Sequence, residues 1–187
     1  TEWIGRYAFD TGPSLLTLPA VYRDFFLKTG PIMEDVLTQI PVDPAFDYRF
    51  IDGSSVKFAN LSRYQTLQAI TASFGSEAAA QWDQTMKRAE AMWDVSREPF
   101  IESELTSIAA LLKRVTLLRD LLVIAPHKSL RDLATEKLTD QRLRFIVDRY
   151  ATYSGSDPRK APAVLLSIAF VEEAFGAWHL AGGIGQL

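Results

Sequence analysis

Two stretches, far apart in the chain, carry residue types suited to holding a flat, electron-rich or anionic ligand. The first is Asp10-Thr11-Gly12-Pro13-Ser14, which follows a short strand expected over Tyr7 to Phe9. Pro13 has no N–H and disfavours helical backbone at Gly12, so the chain must leave the strand sharply and hold Asp10 at its tip. Gly12 has no Cβ to keep a flat ligand away, while the Asp10 carboxylate and the Thr11 and Ser14 hydroxyls offer hydrogen bonds. The second stretch is Gly182-Gly183-Ile184-Gly185. Its backbone N–H groups can face an electron-rich ring or an anion, but it lacks the Lys-Ser/Thr of a phosphate loop and the strand-turn-helix unit around one.

Other chemistries lack their residues. The two histidines, His127 and His179, belong to no HExxH, and no GxSxG or metal-ligand spacing is present. Glu102 and Glu104 sit two apart, so they do not share a helix face and are expected to be solvated. No catalytic base and no metal site is assigned. With no cysteine, there is no disulfide, thiolate ligand or thiol nucleophile, and redox chemistry would have to come from a bound cofactor. The 20 basic and 23 acidic residues are interspersed at a net charge of −3, which gives no electrostatic reason to expect nucleic acid.

The 187 residues are enough for one domain with a sizeable core, and 48% of them are hydrophobic. Pro19 to Lys28 reads as a helix capped by Thr17 or Leu18, with Tyr22, Phe25 and Phe26 forming an aromatic side that either packs on the core or lines an apolar tunnel. A second short helix is expected over Ile32 to Ile40, stopped by Pro41-Val42-Asp43-Pro44. Alternation from Tyr48 to Phe58 around Asp52-Gly53 predicts a hairpin, which should extend the sheet begun by the first strand, since a lone hairpin is marginal.

Asn60 is a candidate cap for a helix over Leu61 to Ala72, and Gly75-Ser76 opens another over Glu77 to Trp93 with Trp82, Met86, Ala89 and Trp93 as its core stripe. Leu105 to Ile124 is the most apolar segment. Lys113, Arg114, Arg119 and Asp120 interrupt the roughly 20 apolar residues that a membrane span needs. The choice is a buried amphipathic helix, the default, or one lying at a membrane surface. Ser129 to Asp132 resembles a capping box, Thr139 or Asp140 caps a helix to about Thr152, and Pro162 starts a helix to about Val171. A last strand is expected over Phe175 to Leu180. The elements predict an α+β fold, a small mixed or antiparallel sheet built from the strand at Tyr7, the hairpin and the last strand, covered by a larger helical layer.

The segment Phe9 to Pro19, FDTGPSLLTLP, resembles the bacterial phytoene desaturase (carotenoid desaturase) family of FAD-dependent oxidoreductases. Pro41 to Phe46 followed by Tyr48-Arg49-Phe50, Tyr150 to Gly155, Phe175 to Trp178 and Gly182 to Gly185 resemble that family too, in its order. Ile184 stands where the family usually has Met, and His179 where Tyr is common. The family's dinucleotide-binding fingerprint is missing, so the resemblance implies the substrate-binding domain of a larger enzyme, inactive as a fragment, with most of the FAD site elsewhere. The lack of an initial methionine fits an excised fragment, and the opening residues show no signal peptide.

By the resemblance, Asp10, Thr11, Gly12, Pro13, Ser14, Gly182, Gly183 and Ile184 lie by the flavin, and Tyr22, Phe25, Trp178 and His179 are candidates for contact with a lipophilic isoprenoid or polyene. It also implies a cytoplasmic protein, peripheral on the inner membrane face if residues 105–124 touch lipid. Two alternatives stay open: an amine-oxidase-like or retinol-saturase-like flavin enzyme, and a non-catalytic module that binds an apolar ligand or a membrane surface.

Overall fold

The computed structural model describes residues 1–98 and 116–187. In chain order the elements are β1 (Glu2–Ile4), β2 (Tyr7–Phe9), α1 (Pro19–Thr29), α2 (Met33–Val36), β3 (Gln39–Pro41), β4 (Phe46–Arg49), β5 (Ser55–Phe58), α3 (Arg63–Phe74) and α4 (Ser76–Arg97). They continue with α5 (Leu117–Ile124), α6 (Leu130–Lys137), α7 (Gln141–Asp148), two 3-10 turns (Arg149–Ser154 and Ala163–Leu166), α8 (Ser167–Phe175), β6 (Trp178–Leu180) and a last 3-10 turn, Ile184–Gln186. The fold is α+β, with antiparallel strand pairs beside a larger helical part.

The larger core is organised on α4. Trp82, Met86, Ala89 and Trp93 recur at helical spacing and are all buried, which is the stripe that the sequence predicts. α3 and α8 pack against α4, and β5 lies on α3. Strand alternation puts Val56 and Phe58 inside and Ser55 and Lys57 outside. Phe58 meets Trp82 edge-on, with ring centroids 5.1 Å apart. A side chain as fully buried as Met86 or Leu143 contributes on the order of 1.5–3 kcal/mol, which is why this core, rather than the strands, holds the fold.

The strands do not form the single sheet expected from the sequence. They make three separate two-stranded sheets: β1 with β2, β3 with β6, and β4 with β5. The β4–β5 hairpin avoids the weakness of an isolated pair by laying its apolar face on helices instead of on another strand. Its connection, residues 50–54, is longer than a two-residue turn and leaves Ile51 fully exposed.

Other corrections are local. Helix over Ile32 to Ile40 is cut to α2, because residues 39–41 pair with β6 and tertiary pairing outweighs local preference. Leu18 caps α1 in a left-handed conformation with no side-chain bond. Ser62, not Asn60, caps α3, accepting the Gln65 N–H at 3.3 Å. Asp140 caps α7, which ends at Asp148 and continues as a 3-10 turn. Helix after Pro162 begins as a 3-10 turn and runs on to Phe175, so the last strand starts only at Trp178.

Of the apolar segment 105–124, Leu105 to Val115 lie outside the described residues, as do Glu102 and Glu104. In the described part, α5 has no fully buried side chain: it packs on α4 and sets Val123 against the larger core, while Leu118 and Leu122 are 79% and 75% exposed, so the default expectation of burial holds for one face only. Among the described residues no helix is long and apolar enough to cross a membrane.

The capping box is present: Ser129 Oγ accepts the Asp132 N–H at 3.1 Å, and Asp132 Oδ2 accepts the Ser129 N–H at 3.0 Å. Ser129→Ala is expected to cost about 1 kcal/mol, the usual worth of such a cap, read as a lowered urea midpoint at unchanged slope.

Candidate functional site

A second, smaller core gathers residues from distant parts of the chain. Leu16, Met33, Leu37 and Leu180 are buried together, with Tyr22, Phe26, Trp178 and Ile184 packed against them. β6 is its spine. On one side β6 pairs with β3, placing Ile40 opposite His179. On the other, Leu16 exchanges two backbone hydrogen bonds with Trp178, donating at 2.7 Å and accepting at 2.9 Å. Leu16, after the bends at Ser14 and Leu15, is therefore held against β6 as an isolated bridge.

Beyond β6 the chain turns at Gly182 and Gly183 and meets the first candidate stretch. The Ile184 N–H donates to Asp10 Oδ2 at 2.8 Å, and the Thr1 hydroxyl donates to Asp10 Oδ1 at 2.8 Å. The two stretches singled out for ligand chemistry, 174 residues apart, are thus joined through one carboxylate. The hydrogen bond from the Thr1 hydroxyl, followed by that from the Ile184 N–H, holds the Asp10 carboxyl below its ordinary value of 3.8.

A carboxyl whose folded value is depressed contributes stability that is present above its unfolded value and lost as pH falls through the folded one. The Asp10 contact is therefore expected to persist at pH 5 and to open only well into acid. Carboxyl chemical shifts and Ile184 amide exchange followed from pH 6 to pH 2 would check this; an Asp10 that titrates at its ordinary value refutes it.

Around this joint, Thr11, Gly12, Pro13 and Ser14 form an exposed turn, and the position of a Gly12 Cβ has no atom within 4 Å. Gly183 differs, since a Cβ there would stand 2.5 Å from Asp10 Oδ2. Tyr22 and Trp178 lie together at the small core. Phe25 is exposed on α1, edge-on to Phe26 at 6.0 Å. His179 is exposed, on the opposite face of β6 from Trp178 and Leu180. Among the described residues no cluster of histidine and carboxylate side chains could hold a metal ion.

Three residues that bear on this region are not legible as functional in the sequence. The Asn60 side chain bonds the backbone just before Trp178. Arg149 and Glu172 form a largely buried pair at 2.6 Å that ties the 3-10 turn after α7 to α8, the helix leading into β6. Their only sequence signal is charge at an otherwise apolar stretch, as in Ile168 to Phe175, where a lone acidic pair has to be satisfied or exposed.

No family model matches the chain. Curated proteins do. Over 185 residues, 98% of this chain, it is 28% identical to the all-trans-zeta-carotene desaturase of Myxococcus xanthus, covering 34% of that protein. With the hydroxyneurosporene desaturase of Rhodobacter capsulatus it shares 31% identity over 180 residues, 94% of this chain and 35% of that one. This chain is a relative of the carotenoid desaturases. The phytoene desaturase of Cercospora nicotianae is similar as well, 27% identical over 183 residues, 97% of this chain and 29% of that protein. The chain thus spans about a third of the length of the carotenoid desaturases it matches. With 98% of the chain covered, the similarity to the zeta-carotene desaturase reaches across both the Asp10 stretch and the glycine turn.

Proposed function

We propose that this chain is the single substrate-binding domain of a larger FAD-dependent oxidoreductase of carotenoid desaturase type, acting on a lipophilic isoprenoid or polyene. The observation that carries this reading is the similarity to desaturases along 98% of the chain. The joint at Asp10 supports it. Thr11 and Ser14 present hydroxyls on an exposed turn, Gly12 leaves open space above the backbone, and the Asp10 carboxylate is already fixed by two donors. These residues fit the edge of a flavin ring and not its dinucleotide part, for which the chain has no G-x-G-x-x-G turn.

When bound, FAD would supply the hydride acceptor for one substrate carbon, the second hydrogen leaving the adjacent carbon as a proton. The work of this chain is orientation and exclusion of water. Gly182, Gly183 and Ile184, held against Asp10, give a fixed edge on one side. Tyr22 and Trp178 supply an apolar wall, and Phe25 and His179 are the outer candidates along the path of a long substrate. Desaturation across an unactivated C–C bond needs no nucleophile, so placing the polyene against the ring in a dry site is the protein's main contribution.

The test is flavin titration of the full-length protein beside this chain, followed by product analysis with polyenes. Flavin held by the full-length protein, with loss of two hydrogens from a polyene, supports the proposal. Absence of flavin from the full-length protein overturns it, and turnover of amines or retinoids instead assigns a different flavin enzyme.

A second reading, peripheral contact of a cytoplasmic protein with lipid through residues 105–124, is favoured by the outward-facing Leu118 and Leu122 of α5. Co-sedimentation with liposomes that is lost in Leu118→Asp and Leu122→Asp supports it; equal sedimentation of wild type and variants removes it.

A further inference from the structure

The Asn60 carboxamide meets both backbone groups of one distant residue. Its Nδ2 donates to the Ala177 carbonyl at 3.0 Å, and its Oδ1 accepts the Ala177 N–H at 2.9 Å. A neighbouring strand supplies such a pair of bonds in a sheet; here one side chain, 117 residues away in sequence, takes its place. Asn60 is itself held, because its own N–H donates to Asp43 Oδ1 at 3.0 Å. The Val42 N–H donates to the same Ala177 carbonyl at 3.1 Å.

Ala177 is 4% exposed, so its backbone groups have little recourse to water if the carboxamide is lost. The residue before it is built around the contact. Gly176 has φ 73°, and a Cβ there would stand 2.8 Å from Asn60 Oδ1 and 2.9 Å from Leu61. Glycine is what lets the carboxamide approach. The residue after it is Trp178, whose indole N–H donates to the Phe175 carbonyl at 2.9 Å and whose backbone is paired with Leu16.

We infer that Asn60 is a positioning residue for the candidate site: by fixing both backbone groups of Ala177 it sets the direction in which Trp178 enters the small core. This rests on the reading of Trp178 as part of the substrate wall. The segment from Ala177 to Ile184 is then pinned at its two ends by polar side chains from elsewhere, Asn60 and Asp10. Asparagine is needed because one planar group must donate and accept at once. An ionised aspartate has no donor and turns a charge on the Ala177 carbonyl, whereas a protonated aspartic acid regains the donor.

That difference gives the test. In the full-length protein labelled with 5-fluorotryptophan, the Trp178 resonance is assigned by its disappearance in Trp178→Phe. Asn60→Ala is expected to displace that resonance and leave those of Trp82 and Trp93 in place. In Asn60→Asp the displacement at pH 8 reverses toward the wild-type position as the pH falls through the carboxylate range to about 3.5. Referencing to wild type at each pH cancels the contribution of Asp43, whose Oδ1 accepts the Asn60 N–H in both proteins. With a polyene substrate, Asn60→Ala lowers kcat/KM at least tenfold.

A Trp178 resonance unmoved in Asn60→Ala overturns the inference, as does an Asn60→Asp spectrum without that pH dependence, or a uniform shift of all tryptophans. Should Asn60→Ala fail to fold, the Asn60→Asp titration decides. A wild-type protein without flavin or polyene turnover defeats the proposed function and leaves the fluorine test standing.

Discussion

Arg149→Met is expected to lower the stability of the fold by about 3 kcal/mol, the low end for breaking a buried ion pair from one side. Arg149 Nη2 donates to Glu172 Oε2 at 2.6 Å, and Glu172 is 8% exposed. The guanidinium lies between two rings, 4.4 Å from the centroid of Phe46 and 4.5 Å from that of Tyr150, contacts worth about 0.5–2 kcal/mol. Burial pushes the Tyr48 hydroxyl up to about 12 and that of Tyr150 well above its ordinary value, so both stay neutral and leave the charge of Arg149 to Glu172.

Methionine keeps an unbranched apolar stem beside the rings while the Glu172 carboxylate loses its charged partner and keeps neutral donors such as the Tyr153 hydroxyl. The loss is therefore one of charge balance more than of packing. The Arg149→Met, Glu172→Met double variant should recover most of the loss, because replacing a whole buried pair by apolar groups is near neutral. Urea denaturation measures both. A loss under about 1 kcal/mol in the single variant would place the pair with solvent-screened bridges.

Gly183→Ala has the next largest expected effect, and its main consequence is local. Gly183 has φ 93° and ψ 166°, a region open essentially to glycine alone, so any side chain costs about 1–3 kcal/mol. The added Cβ would also stand 2.5 Å from Asp10 Oδ2, the oxygen that accepts the Ile184 N–H. Either the turn or the carboxylate must move, and the hydrogen bond is lost in both cases. The Asp10 carboxyl should return toward its ordinary value in a proton titration, and flavin retention by the full-length protein should fall. Gly12→Ala is the control. No atom lies within 4 Å of its would-be Cβ, so a Gly12 variant that disturbs Asp10 as much as the Gly183 variant would show that the geometry is not the cause.

What could be read from the sequence is what neighbouring residues decide among themselves. The α4 stripe, the alternation of Val56, Lys57 and Phe58, and the Ser129 box are local patterns, and each is found in place. Asp10 and the glycine turn were recognisable as residue types, while the bond between them depends on how the ends of the chain meet. Asn60 shows the limit well. Its position before a helical run made it a reasonable cap, but Ser62 takes that role and Asn60 turns to a backbone 117 residues away. Gln39 and Ile40 likewise fit a helical pattern until β6 is there to pair with them. Arg149 and Glu172 gave no spacing signal because their partnership crosses elements.

The two cores also differ in how they can be assembled. The larger one is built on α4 from both a chain neighbour, α3, and a distant helix, α8, and it buries many side chains. The smaller one needs Leu16, Met33 and Leu37 to find Leu180. Closing a longer loop costs more entropy, by about 0.6 kcal/mol for each doubling of its length, and few buried side chains reward the closure. The small core, with four buried side chains against the many of the larger one, is expected to open by fluctuation before the helices around Trp82, read as faster amide exchange at Trp178 than along α4.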